Sequence, residues 1–463
     1  MRKLTALVLA FGLGVASLSM TAQAGALPTT QYENENGPTL SPLLEQVSDA
    51  VVNIAVKGTQ KVQNPLFNDP FFRRFFNVPE GHLQERKIQA AGSGVIIDAD
   101  KGIVITNHHV VKDADEIKVS LNDGRVYEAK LLGADPEVDI AVLEIEADNL
   151  KALKIADSDR VKVGDYVVAI GNPFGLNHTV TTGIVSALGR SGLGIEGYEN
   201  FIQTDASINP GNSGGALINM KGRLIGVNTA ILAPSGGNVG IGFAIPSNMV
   251  KATVNQILEY GEVKRALLGV VIQDLNPDLA EAFGLDNGQK GVVISDVQEG
   301  SAAEKAGLKT GDVILELDGK PVKSSGQLRA RIGLKRAGTE VALKILRDGD
   351  EMTVKARLGG KDSSASSSDE GGWFSKWLDG VKTDALKGVQ METSEDPEGV
   401  RIVDLKRDSK AAAAGLRPGD VIVEVNRERV RSTKDLKKAL KKSDDKTLLL
   451  VVRNGGSFYV VIR

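Results

Sequence analysis

A serine, an aspartate and a histidine lie in three short segments that could together carry out nucleophilic catalysis. The serine is Ser213 in Gly211-Asn212-Ser213-Gly214-Gly215, Asp139 lies in the apolar segment 138–143, and two histidines lie in segment 106–111. A serine hydroxyl is a poor nucleophile at neutral pH, so it needs an imidazole as base and a carboxylate to fix the imidazole tautomer. Glycines beside the serine allow N–H groups to approach a developing oxyanion, and Gly211 and Ser213 are the expected donors.

Each segment alone is a weak signal, because a Gly-Asn-Ser-Gly-Gly run is more often a surface turn than a nucleophile. The chain has 4 histidines, of which only His108 and His109 follow an apolar, strand-like run, 102–105. Adjacent strand residues point to opposite faces, so one of the two would face a cleft. The alternative to a catalytic base is that one of the two histidines is buried in the core and the other is exposed. A metal site is disfavoured, since the chain has no cysteine and no third ligand at a suitable spacing.

The order His, Asp, Ser and the three motifs resemble the HtrA or Deg family of periplasmic serine endoproteases, in particular its DegP-like and MucD-type members. The family pattern Thr-Asn-x-His-Val implies His109 as the base, and Gly-Asn-Ser-Gly-Gly implies Ser213 as the nucleophile. Asp-Ile-Ala implies Asp139 as the orienting acid. Asp135 competes for that role, but it precedes Pro136 and is interpreted as a loop residue, whereas Asp139 opens an apolar strand.

The resemblance also implies a substrate cleft around these residues. Ile208 and Ile231 would line the specificity pocket, and an apolar floor favours Val or Ala over Lys or Arg at the cleaved position. The segment Asn228-Thr229-Ala230 would pair with the substrate backbone as a strand. Arg190, in the glycine-rich loop 189–197, matches a regulatory position that orders the oxyanion loop, with a solvated turn arginine as the alternative.

Composition indicates an exported protein of several domains. The 463 residues are too many for one core and predict about three domains, and a net charge of −3 gives no indication of nucleic-acid binding. Arg2 and Lys3, an apolar run over 4–18 and Ala22-Gln23-Ala24 predict a cleaved signal peptide over 1–24. That run is shorter than the roughly 20 residues that span a bilayer. The mature chain is therefore expected in the periplasm.

Short β-branched runs alternate with glycine-rich turns over 40–260, after an N-terminal segment 25–39, and predict antiparallel barrels. The resemblance implies a mainly β, chymotrypsin-like domain of two six-stranded barrels. Segment 57–87 has no strand period and contains five phenylalanines. The resemblance implies a regulatory loop that crosses to another subunit, and an amphipathic patch packed on its own domain is the alternative.

Three segments of the C-terminal half occur twice, which indicates a duplicated module. Segments 291–294, 306–308 and 311–314 recur at a constant offset as 399–402, 414–416 and 419–422. The pattern Ala-Gly-Leu-x-x-Gly-Asp-Val-Ile resembles PDZ domains, which are α+β. We expect a first PDZ domain over 264–358 and a second over 384–463.

The region between the two modules, 359–383, is rich in Ser, Gly and Asp in its first half and predicts a flexible linker. Trp373, Trp377 and Val381 then recur at helical spacing. They predict a short helix docked on the second module, with membrane contact as the alternative.

A PDZ domain adds a peptide strand to a sheet edge and caps its terminal carboxylate with backbone N–H groups. The resemblance places that loop at Leu267, Leu268, Gly269 and Val270, and in the second copy at 386–389. An ordinary strand entrance remains the alternative for the second copy.

The expected function is ATP-independent endoproteolysis of misfolded or damaged envelope proteins, as part of stress response and protein quality control. No P-loop is present in the sequence, and no cofactor is expected. Expected partners are unfolded substrates, C-terminal peptides and further copies of the chain in trimers or multiples of trimers. The alternative is a chaperone or peptide-sensing scaffold with little proteolytic activity.

Overall fold

The computed structural model describes residues 33–34, 37–62, 84–173, 175, 178–195, 197–231, 240–286, 288–360, 384–441 and 446–463. The chain divides into two compact units, 1–46 and 47–463. The first unit contains a two-stranded ladder and nearly all of one helix: β1 (Glu33–Asn34), β2 (Gly37–Pro38) and α1 (Ser41–Val47). The predicted signal peptide, residues 63–83 of the phenylalanine-rich segment, and residues 361–383 of the predicted linker with its helix lie outside the described residues. The ends of the phenylalanine-rich segment, 57–62 and 84–87, are strand, contrary to the expectation of no strand period. Gly359, the first residue of the predicted linker, pairs with Leu267 and so belongs to the first module.

The second unit begins with a closed six-stranded barrel, in the order β3-β4-β5-β8-β7-β6. Its core consists of aliphatic side chains, and β5 is buried along its whole length. The strands are β3 (Val51–Val62), β4 (Gln84–Asp98), β5 (Ile103–Thr106), β6 (Ala114–Ser120), β7 (Val126–Asp135) and β8 (Ile140–Ile145). A four-residue helix, α2 (His108–Val111), follows β5.

A second closed barrel follows, in the order β10-β11-β14-β13-β12-β9. Its strands are β9 (Tyr166–Gly171), β10 (Thr179–Arg190), β11 (Phe201–Thr204), β12 (Ala216–Asn219), β13 (Leu224–Ile231) and β14 (Gly242–Pro246). These two barrels confirm the predicted architecture. Among the described residues, no helix has the length and apolar character needed to cross a membrane.

Helix α3 (Ser247–Tyr260) connects the barrels to the repeated modules. It buries Met249, Val250 and Ile257, and it ends at Gly261, whose φ of 77° is the left-handed conformation that glycine adopts readily. Gly133 of β7 allows close packing here, because a Cβ atom at that position would lie 2.5 Å from the Gly261 carbonyl oxygen.

The two modules have the same sheet topology, which confirms the predicted duplication. The first contains β15 (Val270–Asp274), α4 (Pro277–Ala282), β16 (Val292–Val297), α5 (Ala302–Lys305), β17 (Val313–Leu317), β18 (Lys320–Pro321), α6 (Ser325–Gly333), β19 (Glu340–Arg347) and β20 (Asp350–Arg357). The second contains β21 (Val389–Glu395), β22 (Glu398–Leu405), α7 (Lys410–Ala413), β23 (Val421–Val425), β24 (Glu428–Arg429), α8 (Thr433–Leu440), β25 (Thr447–Arg453) and β26 (Gly456–Ile462). Each main sheet has its first strand, β15 or β21, at an edge.

The repeated Gly-Asp pair has a structural role in both modules. The fully buried Asp312 accepts hydrogen bonds from Arg347 at 2.6 Å on each oxygen, and Asp420 accepts the same pair from Arg453 at 2.6 and 2.7 Å. Each arginine also donates to the carbonyl of the repeated Ala-Gly turn. A buried carboxylate needs such a partner, so the aspartate of the motif fixes the turn to the sheet.

The two modules pack against each other through a shared apolar cluster. Phe283 of the first module meets Tyr459 of the second edge to face, with ring centroids 5.3 Å apart. The Gln273 side chain donates to the Tyr459 carbonyl at 3.1 Å and accepts from the Tyr459 N–H at 2.7 Å. This side-chain amide therefore pairs with β26 as a backbone peptide would.

Candidate active site

His109 and Asp139 are brought together at one end of the first barrel. The His109 Nδ1 atom lies 2.8 Å from the Asp139 Oδ2 atom, and the His109 backbone N–H donates to Oδ1 at 2.9 Å. The Asp139 side chain is 2% exposed and that of His109 is 49% exposed, so the acid is buried while the imidazole reaches solvent. This is the orientation needed by a base whose tautomer is fixed from behind.

The local backbone explains how Asp139 reaches this position. Asp139 lies in the turn before β8 with a φ of 59°, a left-handed conformation that aspartate tolerates better than most residues. The Asn107 side chain donates to the Asp139 carbonyl at 2.9 Å and so ties this turn to the residue preceding α2.

Thr229 is a third partner of the acid that sequence reasoning assigned to substrate binding instead. It is buried, and its hydroxyl donates to Asp139 Oδ2 at 2.7 Å. Its carbonyl accepts the Ser213 hydroxyl at 3.2 Å. Thr229 therefore lies between the serine and the aspartate, with its carbonyl bonded to Ser213 and its hydroxyl bonded to Asp139.

The expectation that His108 and His109 alternate across a strand is wrong, because both lie in α2. Consecutive helical residues are about 100° apart rather than on opposite faces. His108 is half-buried, and burial lowers the pKa of its imidazole. It therefore remains neutral at neutral pH while His109 contacts Asp139.

Asp135 is not a loop residue, as the sequence suggested, but the buried last residue of β7. Both of its oxygens accept hydrogen bonds from Arg265 at 2.6 Å. The Arg265 guanidinium also lies over the Tyr198 ring, 4.1 Å from its centroid. This carboxylate is thus committed to an ion pair at the start of the first module and is unavailable to His109.

The Ser213 loop has the open backbone that the glycines predicted. Gly211 has a φ of 94° and Gly214 a φ of 82°. A Cβ atom on Gly214 would lie 2.1 Å from the Ser93 carbonyl oxygen, so only glycine fits there. No hydrogen bond among the described residues uses the N–H of Gly211 or Ser213, which leaves both donors for an oxyanion.

The predicted substrate-binding residues are only partly arranged as expected. Ile208 is buried and lies against Gly242 of β14, near the serine loop. Asn228 cannot pair with a substrate strand in this conformation, because its N–H donates to Gly215 and its carbonyl accepts from Gly214. Ala230 and Ile231 end β13, and their side chains lie outside the described residues.

Arg190 ends β10, and its Nε donates to the Gln203 side chain at 2.8 Å. The loop that follows it, 191–200, contacts helix α6 of the first module at two glycines. A Cβ atom on Gly326 would lie 2.5 Å from the Ser191 Cβ, and one on Gly333 would lie 2.6 Å from the Tyr198 ring. The loop that follows Arg190 and the first module therefore share a close-packed contact.

Leu268 and Gly269 of the predicted carboxylate loop lie in an irregular stretch of the first module directly before β15. The carbonyls of Leu268 and Gly269 accept from Ala303 and Gln298, whereas no hydrogen bond among the described residues uses their N–H groups. Gly269 has a φ of 80°. In the second module Gly388 has a φ of 83°, and its carbonyl accepts from Lys406 at 3.0 Å.

Three family models match the chain: a trypsin-like peptidase domain over residues 92–227 and PDZ domains over 266–358 and 401–454. The periplasmic serine endoprotease DegP of Escherichia coli K12 is 46% identical over 99% of this chain and 98% of its own length. The periplasmic pH-dependent serine endoprotease DegQ of the same organism is 45% identical over 100% of both.

Solved structures give the same relationship. The HtrA-type protease AlgW with a decapeptide is 43% identical, with a TM-score of 0.52 over 70% of this chain and 99% of its own. A serine-to-alanine variant of that protease with a decapeptide is 42% identical, with a TM-score of 0.56 over 71% of this chain and 100% of its own.

Proposed function

Since the chain belongs to the HtrA family of serine endoproteases, we propose that it is a periplasmic, ATP-independent endoprotease that degrades misfolded or damaged envelope proteins. The observation that carries the proposal is the chain of contacts from the Ser213 hydroxyl through Thr229 to Asp139, which His109 also contacts. A chaperone role without proteolysis would give no reason for a buried, oriented carboxylate behind an exposed imidazole.

In the proposed mechanism, Ser213 attacks the scissile carbonyl and His109 accepts its proton. Asp139 holds the imidazole and stabilises its cation, and His109 then protonates the leaving amine. The Gly211 and Ser213 N–H groups stabilise the oxyanion of the tetrahedral intermediate. Water then attacks the acyl carbon while His109 accepts its proton, and the bond from that carbon to the Ser213 Oγ breaks as His109 returns the proton to Ser213. By the family resemblance, Ile208 and Ile231 would line the specificity pocket, and an apolar lining would favour small aliphatic side chains at the cleaved position.

Regulation is proposed to pass through the first PDZ domain. We assign the protease domain to 40–260, the two PDZ domains to 264–358 and 384–463, and the linker to 359–383. A peptide carboxylate would bind the N–H groups of Leu268 and Gly269, between Leu267 and Val270, while its strand adds to β15. The α6 contact with loop 191–200 supports coupling to Arg190 and from there to the oxyanion loop.

The relatives support a periplasmic location. They are named periplasmic proteases, and we propose that residues 1–24 are removed on export. We also propose that the chain forms trimers or multiples of trimers.

Replacement of Ser213 by Ala tests the proposal, and the expected result is a loss of casein cleavage by several orders of magnitude. His109→Ala should be equally inactive, whereas His108→Ala is the matched control and should retain most activity. Fluorophosphonate labelling of the purified protein reports the activated serine without knowledge of the substrate. Casein cleavage by folded Ser213→Ala at a tenth of the parental rate would refute the assignment.

A further inference from the structure

Ser93 of β4 is fully buried and contacts the nucleophile loop at two points. Its backbone N–H donates to the Ser213 carbonyl at 2.9 Å, and its hydroxyl donates to the Gly211 carbonyl at 2.6 Å. The same hydroxyl accepts the backbone N–H of Asn172 at 2.7 Å. The Ser93 hydroxyl therefore donates one hydrogen bond and accepts another, and both partners are backbone groups close to the oxyanion donors.

Ser93 is itself held rigidly where the two barrels meet. Its carbonyl accepts the hydroxyl of the buried Thr106 at 2.7 Å. Thr106 ends β5, just before the histidine helix, and Asn172 directly follows β9 of the second barrel. The Asn172 carbonyl accepts in turn from the Asn53 side chain at 2.8 Å. Ser93 thus joins the elements that carry the base, the nucleophile and the oxyanion donors.

We propose that the Ser93 hydroxyl is a positioning residue that fixes the Gly211 N–H in its catalytic direction. Glycine has unusual torsional freedom, and Gly211 adopts a φ of 94°. The hydrogen bond from Ser93 fixes the Gly211 carbonyl. Pro173 packs against the Gly211 Cα, since a Cβ atom on Gly211 would lie 2.2 Å from the Pro173 Cβ. The Gly211 N–H belongs to the preceding peptide, so with the carbonyl fixed its direction depends on the Gly211 φ and ψ, which these two contacts restrict.

The expected effect follows from how oxyanion donors act. Loss of one donor lowers kcat by about 10²–10³-fold, because preorganised donors are needed in the transition state. Loss of Ser93 would leave the donor present but less well aligned, so we expect kcat to fall by roughly 10- to 100-fold. KM should change by less than about twofold, because substrate binding before attack does not use the oxyanion donors.

The inference rests on the proposed protease function and is tested with Ser93→Ala in the full-length mature protein. The matched control is Ser247→Ala, since Ser247 is also fully buried and its hydroxyl donates to the Ala156 carbonyl at 2.8 Å. For both variants kcat and KM are measured on a reporter peptide, together with Tm. A peptide boronic acid serves as a second probe, since its adduct with serine is tetrahedral. Its affinity for Ser93→Ala should fall in proportion to kcat/KM.

Folded Ser93→Ala with kcat within threefold of the parental value would overturn the inference. Equal losses of kcat in Ser93→Ala and Ser247→Ala, matched by equal losses in Tm, would show a purely structural role and would also overturn it. If Ser93→Ala does not fold, Ser93→Cys replaces it, because a thiol is a weaker donor of similar size. Its kcat should then fall by about three- to tenfold with KM unchanged, and a parental kcat would contradict the inference. Absence of any Ser213-dependent cleavage by the parental protein would instead refute the proposed function.

Discussion

The two PDZ domains share a sheet topology and a buried Asp–Arg pair, but the equivalent helix of each has a different surface. In the first domain, α6 presents Gly326 and Gly333 to the protease loop, and a Cβ atom on either would lie within 2.6 Å of that loop. The equivalent positions of the second domain, at the same repeat offset, are Lys434 and Lys441, which are exposed. The same two positions of the helix are therefore closely packed in the first domain and exposed to solvent in the second.

This difference distinguishes residues that stabilise the PDZ fold from residues that contact the protease domain. The Asp–Arg pair occurs in both copies because each domain must fix its own turn. Glycine occupies both positions in the copy whose helix contacts loop 191–200, since a long side chain there would hold the helix away from the loop. Helix α6 is thus one of the parts of the first domain that contact the protease domain, together with Arg265 and Lys320, while β15 remains at the sheet edge for a peptide.

The largest effects are expected where the two domains are alike. Asp312→Ala and Asp420→Ala each leave a partly buried arginine without its partner, which costs roughly 3–5 kcal/mol of unfolding free energy. Each variant should destabilise its own domain, as measured by hydrogen exchange in β17 for the first and β23 for the second. Only Asp312→Ala should also abolish peptide-stimulated cleavage. Equal loss of stimulation in both variants would show that the second domain is part of the switch.

An intermediate effect is expected where the helices differ. Gly326→Lys introduces the residue of the second domain into the first, and overpacking of this kind costs about 1–3 kcal/mol. That energy is enough to separate α6 from the protease loop and should reduce peptide-stimulated cleavage by roughly tenfold, at unchanged Tm of the barrels. Lys434→Gly is the control and should change stimulation by less than about twofold, although it weakens α8 by about 1 kcal/mol. Unchanged stimulation in Gly326→Lys would show that the contact does not carry the signal.

The smallest effect concerns the carboxylate loops. Alanine in the left-handed conformation costs about 1–2 kcal/mol at either Gly269 or Gly388. At Gly269 the added Cβ would also lie 2.3 Å from the Ser301 Cβ, whereas at Gly388 it would meet the flexible Lys406 side chain at 3.2 Å. Gly269→Ala should therefore weaken binding of a peptide with an apolar C-terminus several-fold more than Gly388→Ala, as measured by fluorescence anisotropy. Equal weakening would indicate that both domains bind the peptide.

The catalytic candidates could be predicted because short local motifs contain them, although the choice of His109 over His108 depended on the resemblance to a known family. Glycines around Ser213 and an apolar strand after Asp139 are short-range features, and the duplicated motifs identified the two similar modules. Prediction from the sequence fails where the role of a residue depends on a neighbour that is distant in the chain. Asp135 looked like a loop residue, yet Arg265, far along the chain, makes it a buried ion pair.

The sequence by itself therefore determined the barrels, the repeated modules and the residue types available for catalysis, since strand periodicity and turn chemistry act over a few residues. Only the tertiary structure decided that Thr229 contacts Asp139 and that Ser93 holds Gly211. The same is true of Gly326, whose contact with Ser191 no local pattern indicates. The physical reason is that these hydrogen bonds and close contacts join segments remote in the chain, and barrel closure and domain packing bring those segments together.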